Sequence, residues 1–291
     1  MRGDLFAQAN NTSIKEVSHM EKRRVIYYRD EQNEEFSRAQ IEPKKIDSSF
    51  LYCRDGFFGK LCHLFFYRII ATPIAFLYTK LKFRHRIVGM GALKPYKKTP
   101  YFIYGNHTQD IADAFIPNML SFPQRSFMIV HPNNVSMPVL GKITPYLGAI
   151  PLPDDIGAYR NFICAIEKRL TQGSAVVIYP EAHIWPYYTG IRNFPDTSFD
   201  YPVKFGVPVF CFTNTYHKRP FGVKIETYID GPFFPDTSLP KREQKSELRD
   251  RVYGTMCERA KKSDFELIKY IKQVENTEVP DTESAKGEKE K

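Results

Sequence analysis

The chain has 291 residues, a formal net charge of +9 at pH 7 and 42% hydrophobic residues. This length is ample for a buried core, and with 16 Gly and 21 Pro the composition excludes a collagen-like or wholly disordered chain. The five cysteines are scattered and include no Cys-x-x-Cys pair, which indicates free thiols in a reducing cytosol rather than a zinc ribbon or a disulfide scaffold.

The positive charge is concentrated in one window, residues 51–100. This window holds ten Lys or Arg and one acidic residue, whereas the other 241 residues hold 32 basic and 32 acidic residues. Such a local excess is typical of proteins that bind nucleic acid and of proteins that dock on anionic lipid. No helix-turn-helix, zinc-finger or RNA-binding motif occurs in the sequence, so we expect no nucleic-acid partner.

The N-terminal third of the chain changes character at residue 50. Residues 1–49 are polar and lack a sustained hydrophobic period, so we expect a partly mobile segment with a short strand at 24–28. Residues 50–86 are both basic and apolar, and Pro73 divides them into a predicted pair of short helices.

This predicted helix pair has the composition of a membrane-docking device. Basic residues interrupt every apolar run before it reaches the roughly 18 residues that a span needs. Apolar side chains that enter the acyl boundary, beside Lys and Arg at the headgroups, are typical of interfacial helices. The candidate membrane-binding residues are Phe57, Phe58, Lys60, Phe65, Phe66, Arg68, Lys80, Lys82, Arg84 and Arg86.

From residue 87 onward, short apolar runs alternate with helical stretches. We predict strands at 101–104, 126–130, 174–179, 207–212 and 222–229, and helices at 110–121 and 155–172. This alternation predicts an α/β domain over 87–272, with a mixed, largely parallel sheet flanked by helices. We expect one or two amphipathic helices within 240–272 and a disordered tail at 273–291.

Polar residues follow the strand at 101–104, at the sheet edge where α/β folds place their ligands. His107 comes directly after this strand, and Asp110 and Asp113 follow it. A carboxylate bonded to one imidazole nitrogen fixes the tautomer and leaves the other nitrogen to accept a proton. His107 and one of these aspartates therefore form a candidate general-base pair, although an aspartate at a helix start is also a common cap.

A second polar loop, Tyr179-Pro180-Glu181-Ala182-His183, follows the strand at 174–179, and Arg192 lies further along it. Its carboxylate and imidazole are candidate substrate-binding groups. A metal-dependent hydrolase that uses His107, Asp110, Glu181 and His183 is an alternative, but no His-x-x-x-His pair supports it.

Together the two loops resemble the glycerolipid acyltransferase family typified by lysophosphatidic acid acyltransferase. Asn106-His107 matches the family's Asn-His-x4-Asp motif, and Tyr179-Pro180-Glu181 matches its later Phe-Pro-Glu motif. Val207-Pro208, preceded by Lys204, is similar to the strand that follows in the family, and the resemblance covers residues 55–230.

The chain departs from the family's pattern at defined positions. Ala112 stands where the family has its aspartate, so Asp113, one position later, is the preferred partner of His107, and Asp110 stays open. Ala182-His183-Ile184 replaces the family's Gly-Thr-Arg, and the segment around 148–153 also lacks its motif's arginine.

The resemblance implies an O-acyltransferase that moves a fatty acyl group from acyl-CoA or acyl-carrier protein to the hydroxyl of a lysophospholipid, lysophosphatidic acid above all. It implies no bound cofactor or metal, and a peripheral or monotopic protein on the cytoplasmic face of an anionic phospholipid membrane. Two alternatives remain, an acyltransferase for an acceptor without phosphate and a non-catalytic lipid-binding protein.

The same resemblance assigns roles to residues. His107 would take the acceptor's proton, Asp113 or Asp110 would orient it, and backbone N–H groups after residue 107 would hold the oxyanion. The candidate substrate-binding residues are Asn106, Pro180, Glu181, His183, Arg192 and Lys204.

Overall fold

The computed structural model describes residues 24–37 and 41–273. The remainder of the predicted mobile N-terminal segment, and the predicted tail from residue 274 onward, lie outside the described residues. The elements of the described chain, in order, are β1 Arg24–Tyr28, α1 Phe57–Phe83, β2 Arg86–Val88, β3 Tyr101–Gly105, α2 Ala112–Ser121, β4 Ser126–Val130, α3 Asn133–Ser136, α4 Leu140–Ile143, β5 Ala149–Pro151, α5 Ile156–Thr171, β6 Ala175–Ile178, α6 Asp200–Phe205, β7 Val209–Lys218, β8 Val223–Phe233, α7 Lys241–Ala260 and β9 Ile268–Lys272.

The predicted mixed, largely parallel sheet is confirmed. Seven strands lie in the order β2-β8-β7-β3-β6-β4-β5, and all neighbours are parallel except the β7–β8 pair. Strands β3, β6 and β7 therefore run in one direction, and their carboxyl ends meet at one edge of the sheet. The loops after β3 and β6 both begin at this edge, which brings the two predicted polar loops together.

Helices cover both faces of the sheet, because alternate residues of each buried strand point to opposite sides. Phe102 and Tyr104 pack with α5 and α7, whereas Tyr101 and Ile103 pack with α1 and α2. Gly105 ends β3 where the Phe212 ring crosses it, and a Cβ at this position would lie 2.1 Å from that ring. A side chain at residue 105 would therefore displace the start of the loop that carries His107.

The predicted pair of short helices is wrong, because residues 57–83 form one continuous helix. Its centre, Leu64–Ala71, is π-helical, and both the N–H and the hydroxyl of Thr72 bond to the Tyr67 carbonyl. Pro73 removes one backbone donor, but a π-turn and a threonine hydroxyl can satisfy the groups around it. The proline is thus accommodated without breaking the helix.

The C-terminal part of the chain also differs from the prediction. Only residues 241–260 of the predicted helical stretch form a helix, and β9 is a strand that pairs in parallel with β1, Arg24 opposite Ile268. In the sequence, the apolar residues of β9 are similar to one face of a helix. Their partner strand lies more than 240 positions away, so no neighbouring residue indicates a strand.

Candidate active site

His107 lies two residues after β3, and its ring contacts a carboxylate from the first turn of α2. Asp113 Oδ2 accepts hydrogen bonds from His107 Nδ1 at 2.9 Å, from the Thr108 N–H at 2.8 Å and from the Gln109 N–H at 2.9 Å. The Asp113 side chain is 2% exposed and that of His107 is 18% exposed. The buried carboxylate thus fixes the imidazole, while part of the ring reaches the surface.

The charge state of Asp113 depends on these donors. Burial raises the pKa of the Asp113 carboxyl, and the hydrogen bonds from His107, Gln109 and Thr108 oppose that rise. Asp110, the other candidate, is exposed in the turn before α2. Asp113 is therefore the carboxylate whose geometry suits a general-base pair with His107.

Tyr179, the first residue of the second polar loop, contacts both members of the His107–Asp113 pair. Its ring stacks on the His107 ring, with centroids 4.3 Å apart and planes 17° from parallel. Its hydroxyl donates to the Asp113 carbonyl oxygen at 2.6 Å. The sequence predicts no such role for Tyr179, and its position at a strand end, next to Pro180-Glu181, is the one signal that points to it.

Asn106 and Glu181 are buried supports of the site rather than surfaces for a substrate. Asn106 exchanges two hydrogen bonds with the backbone of Asn214, at 3.1 and 2.8 Å, and so joins the end of β3 to β7. Glu181 accepts the His107 N–H at 3.3 Å and the Arg192 N–H at 3.2 Å. The expectation that these two residues contact the acceptor directly does not fit their burial.

Arg192 is enclosed as well, with its side chain 1% exposed. Its guanidinium pairs with Glu181 at 3.2 Å, lies 4.9 Å from the Trp185 ring centroid and donates to the His183 carbonyl. Burial raises the pKa of the Glu181 carboxyl, and the charge of Arg192 opposes the rise. Arg192, a predicted substrate-binding residue, instead closes its own loop by pairing with Glu181, because the buried carboxylate needs a cation.

Two of the backbone donors predicted to hold an oxyanion are occupied. The N–H groups of Thr108 and Gln109 donate to Asp113, and that of His107 donates to Glu181. These three donors of the loop after β3 are therefore directed inward, at the two buried carboxylates.

The remaining predicted substrate-binding residues are His183, Pro180 and Lys204. His183 Nδ1 lies 3.4 Å from a Glu35 carboxylate oxygen, and Pro180 continues the chain from Tyr179 into the loop. Lys204 is exposed near the end of α6, just before β7 begins. Since His107 lies past the carboxyl end of the parallel strand β3, Lys204 is near the opposite edge of the sheet.

The predicted membrane-binding residues follow helix α1 and its C-terminal end. Those with exposed side chains are Phe57, Phe58, Lys60, Phe65, Lys80, Lys82, Arg84 and Arg86. Phe66 is half-buried near Tyr146, and Arg68 turns to the domain, where it donates to the Pro123 carbonyl and lies over the Phe122 ring. In the described ranges 24–37 and 41–273, no group of three or more His, Cys, Asp and Glu side chains is placed to hold a metal ion.

No protein-family model matches the chain, and no curated protein matches it. Among solved structures, it is similar to the crystal structure of the 1-acyl-sn-glycerophosphate (LPA) acyltransferase PlsC from Thermotoga maritima. The identity is 19%, the TM-score is 0.48, and the match covers 74% of this chain and 86% of that chain.

Proposed function

We propose that the chain is a membrane-docked O-acyltransferase that moves a fatty acyl group from an acyl thioester, acyl-CoA or acyl-carrier protein, to the hydroxyl of a lysophospholipid. The observation that carries this proposal is the His107–Asp113 pair, a partly exposed imidazole bonded at 2.9 Å to a buried carboxylate. A pair of this kind activates a hydroxyl without a metal.

In the proposed reaction, His107 Nε2 takes the proton of the acceptor hydroxyl while that oxygen attacks the thioester carbonyl carbon. Asp113 holds the hydrogen on Nδ1 and stabilises the imidazolium that forms. When the tetrahedral intermediate collapses, the C–S bond breaks and the thiolate takes the proton back from His107. The stacked Tyr179 ring keeps the imidazole plane fixed through these steps.

Helix α1 supports docking on an anionic membrane surface. By length and composition the helix is sufficient to cross a membrane. However, polar contacts join it to the domain along its length, at His63 to the Tyr146 carbonyl, at Tyr67 to Ser126 and at Thr72 to Asn118. We therefore place the helix in the interface, with its outward apolar side chains in the acyl boundary.

The outward face of α1 is the largest group of exposed apolar side chains on one described helix. Its exposed members are Phe57, Phe58, Leu61, Leu64, Phe65, Ile69, Ile70, Ile74, Phe76, Leu77 and Leu81. The exposed basic residues on and just after α1 suit anionic headgroups. Since all five cysteines are free, we propose the cytoplasmic face of the membrane.

Lysophosphatidic acid is the acceptor that the sequence resemblance favours, but a second acceptor class has a specific observation behind it. Arg192 is buried in an ion pair, and Lys204 lies near the far edge of the sheet. Neither cation is placed to meet a phosphate beside His107. This arrangement favours, as the second candidate, an acceptor without phosphate.

The test is transfer of a labelled acyl group by the purified protein in vesicles that contain anionic lipid, with lysolipids that carry and lack phosphate. His107→Ala should lower transfer at least about 10³-fold, because the base is lost. His131→Ala, in the exposed turn after β4, is the matched control and should keep full activity. Equal transfer by the His107 variant and the wild type would refute the proposal.

A further inference from the structure

A line of buried polar side chains leads from Asp113 away from His107, toward the end of helix α1. Asn214 Nδ2 donates to Asp113 Oδ1 at 3.3 Å, and Thr227 Oγ1 donates to Asn214 Oδ1 at 2.6 Å. His85 Nε2 lies 2.7 Å from Thr227 Oγ1. All four residues are buried, so their polar groups depend on one another for hydrogen bonds.

The direction of these hydrogen bonds is determined. The Asn214 nitrogen faces Asp113, because its oxygen there would place an acceptor against a carboxylate. The Thr227 hydroxyl donates its hydrogen to Asn214, so its oxygen accepts a hydrogen bond from His85. The proton of the neutral His85 ring must then be on Nε2. The burial of His85 lowers its pKa to about 4, which keeps this imidazole neutral near pH 7.

Rigid elements hold each member of this line. The Asn106 side chain makes two hydrogen bonds with the Asn214 backbone, and the register of β7 and β8 places Asn214 opposite Thr227. The His85 N–H donates to the Thr79 carbonyl in the last turn of α1. Positioning groups act best when their own supports are fixed in this way.

We propose that Asn214 is a positioning residue for the His107–Asp113 pair and that Thr227 and His85 hold Asn214 in that role. The proposal rests on the proposed function of His107 as a base. Three donors bind Asp113 Oδ2, and the Asn214 donor to Oδ1 stops the carboxylate from rotating. The orientation of the carboxylate sets the direction in which His107 presents Nε2 to the acceptor.

Two buried threonines give a matched comparison. Thr227 and Thr213 are each 0% exposed and lie on neighbouring strands. Thr227 Oγ1 takes part in this line, whereas Thr213 Oγ1 has no hydrogen-bond partner in the described part of the chain. Thr227→Val should lower kcat about tenfold with KM for the thioester unchanged, and Thr213→Val should stay within about twofold of the wild type.

Thr227→Ser separates a positioning role from loss of packing, since it restores the hydroxyl and leaves out the methyl group. We expect it to recover most of the kcat that Thr227→Val loses. Equal kcat values for Thr227→Val and Thr213→Val, or no recovery by Thr227→Ser, would overturn the proposal.

A second measurement needs no acyl transfer. Asn214→Ala removes the donor to Asp113 Oδ1, so the carboxylate is no longer fixed and its hydrogen bond with His107 Nδ1 should change. The change is followed by NMR as a shift of the ring-nitrogen resonance that is missing from His107→Gln. An unchanged resonance in folded Asn214→Ala overturns the proposal, and should that variant not fold, the threonine comparison decides.

The two tests separate this inference from the proposed function. If His107→Ala retained full acyl transfer, the proposed function would fail, whereas the NMR measurement would still show whether Asn214 holds the Asp113 carboxylate against His107. If His107→Ala were inactive but the threonine and NMR results matched the controls, the positioning role alone would be refuted.

Discussion

At the scale of single residues, the site is organised around one buried carboxylate. Ionised carboxylates are costly to bury unless donors surround them, and Asp113 has two backbone N–H groups, one imidazole and one amide. These donors explain why the carboxylate sits six positions after His107. The loop wraps around Asp113 through the N–H groups of Thr108 and Gln109.

His85 gives a prediction at this scale, because its pKa is about 4 in the folded protein and about 6.5 in the unfolded chain. The unfolded chain therefore binds the proton first as pH falls, and the folded state loses stability between pH 6.5 and 4. At pH 5 the loss is about 2 kcal/mol. His85→Gln should reduce the pH 7 to pH 5 loss in the free energy of unfolding by that amount, measured with urea in fixed detergent.

The comparison of His85→Gln with the wild type isolates the contribution of His85 to the pH dependence of stability. His63, whose burial also lowers its pKa to about 4, is present in both proteins and contributes equally. The glutamine amide can donate to Thr227 in place of the imidazole. An identical pH dependence in both proteins would show that His85 is not buried as a neutral group.

The sequence predicted the residues of the pair but not their supports. His107 and Asp113 are six positions apart, so one loop brings them together, whereas Asn214 is 101 positions from Asp113 and reaches it only through the order of the strands. The burial of Glu181 and Arg192 as an ion pair was not predicted, for a related reason. The sequence alone does not show whether a carboxylate and a guanidinium face solvent or each other.

At the scale of elements, helix α1 has two faces with different tasks. Ala75 and Phe83 belong to the core that also contains Ile103 of β3, while the opposite face carries the exposed apolar side chains. Removal of residues 1–86 would therefore damage the fold and could not test membrane docking. Point substitutions on the outer face are the suitable test.

Phe57→Ser with Phe58→Ser should weaken binding to anionic vesicles at least about tenfold, since each ring contributes roughly 1.5–3 kcal/mol when buried in an apolar medium. The rings are 77% and 78% exposed, so the fold should be unchanged. Vesicle sedimentation at two salt concentrations measures the binding, which should also weaken with salt.

Ile156→Ser with Phe234→Ser is the control for this experiment. Both side chains are exposed and apolar, and Ile156 begins α5, which packs on the other face of the sheet from α1. Equal binding by the two double variants would rule out the outer face of α1 as the docking surface.

Strand positions were the part of the fold that the sequence predicted best. The strands at 24–28 and 126–130 match residue for residue, because short apolar runs between turns have few alternative structures. Two of the errors, one helix in place of a pair and a strand at 268–272, arose where an element depends on distant partners. In both places the deciding contacts are tertiary ones, which local periodicity does not contain.

At the scale of the whole molecule, the two ends of the described chain meet over the second polar loop. Strand β1 pairs with β9, and the segment that follows β1 bonds to the loop, with Trp185 Nε1 donating to the Glu34 carbonyl at 2.8 Å and Phe36 N to the Ile184 carbonyl at 3.2 Å. The backbone N–H of Trp185 donates to the His107 carbonyl at 3.1 Å. The N-terminal segment thus reaches the loop that carries His107 through one residue, Trp185.

Removal of residues 1–37 should therefore lower acyl transfer, whereas removal of residues 1–23 should leave it unchanged. The longer deletion takes away β1 and the ring of Phe36, whose centroid is 5.3 Å from that of the Trp185 ring. Misplacement of reacting groups by about 1 Å can cost 10²-fold in rate.

Trp185 is the single tryptophan of the chain and is 0% exposed, so its fluorescence reports on the same loop. We expect the emission to shift to longer wavelength in the longer deletion alone, together with the loss of activity. Full activity with a red-shifted Trp185 would show that the loop can open without disturbing His107, and the coupling through the His107 carbonyl would then be wrong.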